Sequence, residues 1–319
     1  MLVSWFFGQL PSADCQERTR AVVSRPSADL NHASGFASRP DGNATSGDGS
    51  AIGYFDTDNV TFDNGATTDE LRYLAKAYNA TADESCLTAF LAGFDVILKS
   101  QYPNGGFPQY YPLSKAYHRH ITFNDNSMVR ILGFLRDTTT DRGYAFLDPT
   151  RKAAASRAFD RGIDCIVKCQ IIVDGKPTAW CAQHDEITLA PADARAYELK
   201  SLSGAESAGI LHLLMSLEKP SPDVIRSVNA GVAWFDSAKI EGIRIEKVDG
   251  DRKVIKDRSA PPLWARFYEI ETQKPYFCDR DGVRKYSLED IGRERRNGYA
   301  WFGNWGGKVA RDHSKWKFR

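Results

Sequence analysis

The chain has 319 residues, 42% of them hydrophobic, enough to bury a large core in one domain or at most two. Its 42 Lys and Arg balance 41 Asp and Glu to a formal charge of +1, so no global field draws it to nucleic acid or to an anionic membrane. With no apolar run of about eighteen residues, a transmembrane helix is excluded as well.

The opening Met1-Leu2-Val3-Ser4-Trp5-Phe6-Phe7 is apolar but lacks a basic flank and soon reaches Gly8-Gln9, which makes a poor signal peptide. Residues 24–53 are rich in Ser, Gly, Asp, Asn and Pro, the composition of a loop. A poorly defined arm over residues 1–60 and a packed domain over 61–319 are therefore expected. From there a helical period dominates. Leu71, Leu74, Ala75 and Tyr78 form one stripe, and Leu87, Phe90, Leu91, Phe94 and Leu98 the next. Further stripes run through Met128 to Leu135, Phe159 to Val167, Ile210 to Leu217 and Ile225 to Phe235, with Pro220-Ser221-Pro222 marking a helix start. Strand signals are few: Ile171-Ile172-Val173 before Asp174-Gly175, with Thr178-Ala179-Trp180 as its return, and the alternating Ile243 to Val248. A mainly α fold of pairwise-packed helices follows, and closure into a ring would leave a cleft at one end.

Six cysteines, Cys15, Cys86, Cys165, Cys169, Cys181 and Cys278, are too sparse for a disulfide scaffold and form no C-x-x-C metal pair. The loops hold the chemistry. Phe62-Asp63-Asn64-Gly65-Ala66-Thr67-Thr68, Asn104 to Pro112 and Thr122-Phe123-Asn124-Asp125-Asn126 combine acids, amides and aromatics in a way that simple connectors do not need. Each Asp and Asn at a helix start has a plain alternative as a cap for the first-turn N–H groups. Phe107, Tyr110, Tyr111 and Trp180 suit the apolar face of a sugar ring or, equally, a core.

Taken in order, Phe62-Asp-Asn-Gly-Ala-Thr-Thr, Gln101-Tyr-Pro-Asn-Gly-Gly-Phe-Pro-Gln, Thr122-Phe-Asn-Asp, Trp180-Cys-Ala-Gln-His-Asp, Leu189-Ala-Pro through Arg195-Ala-Tyr-Glu, Trp264-Ala-Arg-Phe-Tyr-Glu and Arg280-Asp-Gly resemble the motif series of pectate lyases of polysaccharide lyase family 10. The similarity runs from about Phe62 to Trp305, and nothing before Thr61 matches the helix with which family members usually open. The resemblance implies an incomplete α/α toroid with a central groove. It implies cleavage of polygalacturonate by Ca²⁺-assisted anti β-elimination, by a secreted or periplasmic monomer with neither nucleic acid nor membrane as partner.

Removing the C5 proton of a uronate pushes negative charge toward its carboxylate, which a hard, oxygen-ligated cation neutralises. By the resemblance Asp63 and Asp125 are the metal ligands. Arg195 stands as the base, Arg266 and Arg280 as forks for substrate carboxylates, and Asn64 and His184 as further substrate contacts. An Arg base works only through a rare neutral fraction, so activity should rise toward alkaline pH. A structural role for His184 and a packing role for Arg266 stay open. An inverting glycoside hydrolase and an inactive pectate-binding domain are the alternative functions.

Overall fold

The computed structural model describes residues 60–319, so the predicted arm lies outside the described residues. Among these, eight α-helices carry the fold: α1 (Ala66–Thr81), α2 (Glu84–Ser100), α3 (Ser127–Thr140), α4 (Pro149–Cys169), α5 (Gly204–Met215), α6 (Pro222–Ser237), α7 (Arg293–Gly298) and α8 (Trp305–Ser314). The fold is mainly α, as the helical period requires. Local chemistry sets several of the boundaries. Asp83 accepts the Ser85 N–H at 2.9 Å to open α2, and Asp148 accepts the Arg151 N–H at 2.9 Å at the start of α4. Ser221 caps α6 ahead of Pro222, whose missing N–H costs nothing in a first turn.

The chain divides into two compact units. The first holds residues 60–101, 109–113 and 130–159. Its core is aromatic: Phe90 meets Phe94 at 5.9 Å, Phe146 at 5.2 Å and Tyr144 at 5.9 Å, and Leu71 and Leu74 of α1 are buried. In α2 the buried face is Cys86, Phe90, Phe94 and Ile97, while Leu87, Leu91 and Leu98 are only half-buried. The predicted stripe is thus rotated by part of a turn, because a run this apolar offers more than one plausible face.

The second unit holds residues 102–108, 114–129 and 160–319. Its core gathers Tyr197, Phe267, Tyr276, Phe277, Leu288, Ile291 and Trp301. Here the sequence reading undercounted strands. Leu202–Ser203, Phe267–Tyr268, Pro275–Cys278 and Arg284–Lys285 form an antiparallel four-stranded sheet in that order. The predicted strand at Ile243–Val248 pairs with Asp251–Lys256 across Asp249-Gly250, both at positive φ (51° and 74°), as a two-residue hairpin turn demands. The 171–173 arm turns at Asp174-Gly175 as expected. Its named return strand is Lys176–Pro177, however, with Thr178 and Ala179 continuing the bonding to Ile171.

One motif recurs along the chain. A two-residue strand leads into a helix, a second helix follows, and a later strand pairs antiparallel with the first. Thr61 pairs with Tyr110 around α1 and α2, Thr122 with Gln183 around α3 and α4, and Ser203 with Phe267 around α5 and α6. No exact sequence repeat announces this, since the conserved content is hydrogen-bond register rather than residue identity.

Candidate active site

The turn at Phe123-Asn124-Asp125-Asn126 opens α3 and places a carboxylate at the end of a strand. Asp125 (φ 51°) and Asn126 (φ 60°) are both left-handed, a conformation that costs a non-glycine residue about 1–2 kcal/mol and persists only where surrounding contacts enforce it. The enforcement is visible. Asn124 donates to Asp125 Oδ2 at 2.8 Å, and Asn126 packs against α5 at Gly209, where a Cβ would stand 1.8 Å from the Asn126 amide oxygen. Asp125 therefore points its carboxylate at a neighbour from another part of the chain rather than capping its own helix.

That neighbour is Arg266, held between the strands Trp264–Ala265 and Phe267–Tyr268 with its N–H donating to Trp301 O at 2.8 Å. Only 8% exposed, Arg266 reaches Glu206 at 2.5 Å, Asn124 at 3.2 Å and Asp125 at 3.4 Å through one terminal nitrogen. Burial works against its charge, but the carboxylate of Glu206 and then Tyr299 and Asp125 outweigh it, so its pKa stands above the ordinary Arg value. Glu206 is fixed in turn by the hydroxyl of Ser203.

The guanidinium of Arg266 lies 4.6 Å from the ring centre of Tyr299. The Tyr299 hydroxyl donates to Glu198 at 2.7 Å. Glu198, 2% exposed, accepts a two-pronged bond from Arg195 at 2.7 and 2.6 Å. Asp125, Arg266, Tyr299, Glu198 and Arg195 thus form one continuous network. Arg195 keeps 40% of its side chain in solvent. Burial lowers its pKa, but the Glu198 hydrogen bonds outweigh that and hold it above the ordinary Arg value. Tyr197 lies beside it, its ring shared by Arg195 at 5.3 Å, Arg280 at 5.9 Å and Arg295 at 4.6 Å. Arg280 sits at the exposed rim, paired with Glu294 at 3.1 Å.

Asp125, Arg266, Arg195 and Arg280 lie in this network or beside it, but Arg266, expected as a fork for substrate carboxylates, is buried with one terminal nitrogen already on Glu206, Asn124 and Asp125. Asp63 and Asn64 belong to the first unit, where Asn64 (φ 48°) and Gly65 (φ 79°) repeat the left-handed turn seen at 125–126 and Asn64 is exposed. His184 requires a correction. It is fully buried, its Nε2 accepting the Cys181 N–H at 3.0 Å and its Nδ1 facing the Leu189 carbonyl at 2.8 Å. Burial pushes its pKa down to about 4, so it is a neutral staple of its own loop with no nitrogen left for substrate. Phe107 and Trp180 are likewise core residues. Glu198, Glu206, Tyr299 and Arg295 were missed, because nothing in their local spacing marks partners as many as 101 residues away.

For a metal, Asp125 offers a carboxylate one-third exposed, and the adjacent Asn126 Oδ1 is buried with no hydrogen-bond partner among the described residues. Such all-oxygen donors fit a hard cation. A second group, His120, Asp185 and Glu186, brings its ligand atoms within 4.8 Å of one another. There Glu186 is already paired with Arg119 and with His120 at 3.0 Å, so a guanidinium supplies the positive charge.

The family model described as pectic acid lyase matches residues 40–310, reaching further toward the N-terminus than the motifs from Phe62 indicated. A family 10 polysaccharide lyase from Cellvibrio cellulosa is similar over 98% of this chain and 100% of its own, at 30% identity and a TM-score of 0.78. A mutant family 10 polysaccharide lyase from the same organism, in complex with trigalacturonic acid, matches at 30% identity and 0.78 over 97% and 99%. No curated protein matches. With its family model spanning most of the sequence and its closely superimposable solved relatives, the chain belongs to the pectic acid lyases, polysaccharide lyase family 10.

Proposed function

We propose that this protein is a pectate lyase that cleaves polygalacturonate by Ca²⁺-dependent anti β-elimination. The observation that carries the reading is the network from Asp125 through Arg266, Tyr299 and Glu198 to Arg195, which sets fixed cations beside a part-exposed carboxylate. Trigalacturonic acid in the related lyase complex supports the substrate class. The threefold strand–helix–helix–strand recurrence supports an incomplete α/α toroid.

In the proposed reaction the C5 proton goes to a base, the C4–O4 bond breaks, and its electrons leave with O4. A C4=C5 double bond forms, O4 is protonated, and no water is consumed. Arg195 is the proposed base, its free edge toward solvent while Glu198 fixes the other edge. Because Glu198 favours the charged form, the neutral fraction grows only as pH rises. Arg266 orients Asp125, and Arg280 at the exposed rim beside Tyr197 holds a further uronate carboxylate. Asp125 in the second unit would hold Ca²⁺, which when bound would neutralise the substrate carboxylate, and the metal role of Asp63 in the first unit rests on its motif alone.

Hydrolysis is disfavoured by the same geometry. Among the described residues the two buried carboxylates, Glu198 and Glu206, are each tied to an arginine and are poor candidates for an acid–base pair. The enzyme is proposed to act as a secreted or periplasmic monomer. Ultraviolet absorbance of unsaturated product, followed with polygalacturonate and Ca²⁺ across alkaline pH, tests the reading. A rise abolished by a chelator is expected, and saturated products or no turnover would overturn it.

A further inference from the structure

A cleft of about 540 Å³ lies between the C-terminal end of α5 and the helix α8, both in the second unit, and none of its lining residues belongs to the Arg195–Arg266 network. His212 and Met215 form one wall, and Lys308, Arg311, Lys315 and Trp316 the other. Spacings of three and four residues put the three cations on one stripe of α8 and its C-cap, spanning roughly two helical turns, about 10 Å. All three are exposed, and none forms an ion pair among the described residues. One acid, Asp312, shares the cleft and faces His212 at 2.9 Å, and the three cations outnumber it.

The helix dipole gives a bland account of Arg311 and Lys315, which sit at the C-terminal end of α8. It does not account for Lys308, which stands in the first turn where the dipole disfavours a cation. Nor does it account for the floor. Trp316 is buried against His313 and Phe318, yet its indole N–H has no acceptor among the described residues. Cations repeated at about one helical turn, beside an indole and a Met, match a ligand whose carboxylates recur along a chain of rings with apolar faces.

We propose that this cleft is a second binding site for the carboxylate-bearing saccharide chain, holding polymer at a distance from the reacting bond. This rests on polygalacturonate being the substrate. Binding in two places raises the effective concentration of a long chain at the site of cleavage but does nothing for a chain too short to reach both.

The test compares the full chain with Lys308→Ala/Arg311→Ala/Lys315→Ala, all surface positions. On polygalacturonate the KM should rise roughly tenfold, three exposed ion pairs at usual strength, with turnover of trigalacturonate unchanged. An unchanged KM on polymer, or an equal loss on the trimer, overturns the proposal. Calorimetric titration with polygalacturonate in excess chelator reads binding independently of turnover. If the wild type fails to cleave with Ca²⁺ supplied yet in chelator binds polymer more tightly than the variant, the lyase reading falls and the cleft stands. Equal affinity sinks the cleft alone. Polyglutamate competing as well as polygalacturonate would show a patch for any polyanion and overturn the saccharide assignment.

Discussion

Arg266 and Arg195 belong to one network, and the contrast between them shows how differently a single residue type can be held within it. Arg266 is enclosed: its terminal nitrogen faces three side-chain oxygens, an aromatic ring covers it, and both peptide groups beside it are bonded. Arg195 is held along one edge by Glu198, lies beside the Tyr197 ring and keeps 40% of its side chain in solvent. Enclosed in this way, with one terminal nitrogen spent on three oxygens and its Nε buried without an acceptor among the described residues, Arg266 orients its neighbours. A guanidinium satisfied on a single edge has donors left for a ligand.

This contrast breaks if the two arginines respond alike to substitution. Arg195→Lys should lose roughly 10³-fold in kcat while the melting temperature stays near wild type, because Lys cannot copy the fork and the site is half-exposed. Wild-type turnover in that variant would remove Arg195 from the chemistry. Arg266→Ala should instead unfold the protein more easily, by about 3–5 kcal/mol in chemical denaturation, since it strands the buried Glu206 without a counter-charge. A change below about 1 kcal/mol would show that Glu206 finds another partner.

A subtler variant sharpens the base assignment. Glu198→Gln removes the carboxylate that keeps Arg195 charged, so the folded-state pKa of Arg195 must fall and the alkaline rise in kcat/KM must move to lower pH. A profile that loses amplitude without moving would place the base elsewhere. The smallest effect is expected from Tyr299→Phe. It deletes one hydrogen bond to a charged group, about 1.5–3 kcal/mol before relaxation, while leaving the ring beneath Arg266. A double-mutant cycle with Glu198→Gln should give a coupling of roughly 1 kcal/mol, and none if the two ends act independently.

Much of the site was legible because its key residues sit in short, unusual strings. Asp125 within Thr-Phe-Asn-Asp and Arg195 within Ala-Arg-Ala-Tyr-Glu are set apart by residue type in a loop. Glu198 was in plain view three residues beyond Arg195, but its bond to Tyr299, 101 residues away, is one that no local pattern reports. His184 misled for the converse reason: a His-Asp pair reads as chemistry unless the Cys181 and Leu189 backbone groups that absorb both nitrogens are known. Six of the eight helices among the described residues were legible in order from their stripes, but the short α7 and α8 were not read, and the two-residue strands fall below the length at which alternation can register.

The recurring strand–helix–helix–strand frame also tells where this scaffold tolerates novelty. From the second helix to the returning strand the chain runs from Ser100 to Tyr110 in the first copy and from Cys169 to Gln183 in the second. In the third, from Ser237 to Phe267, it accommodates a whole hairpin at 243–256 without altering the pairing that closes the unit. Lengthening such a connector costs little closure entropy, so grafted segments at these three junctions offer a route to new substrate preferences while the frame stays intact.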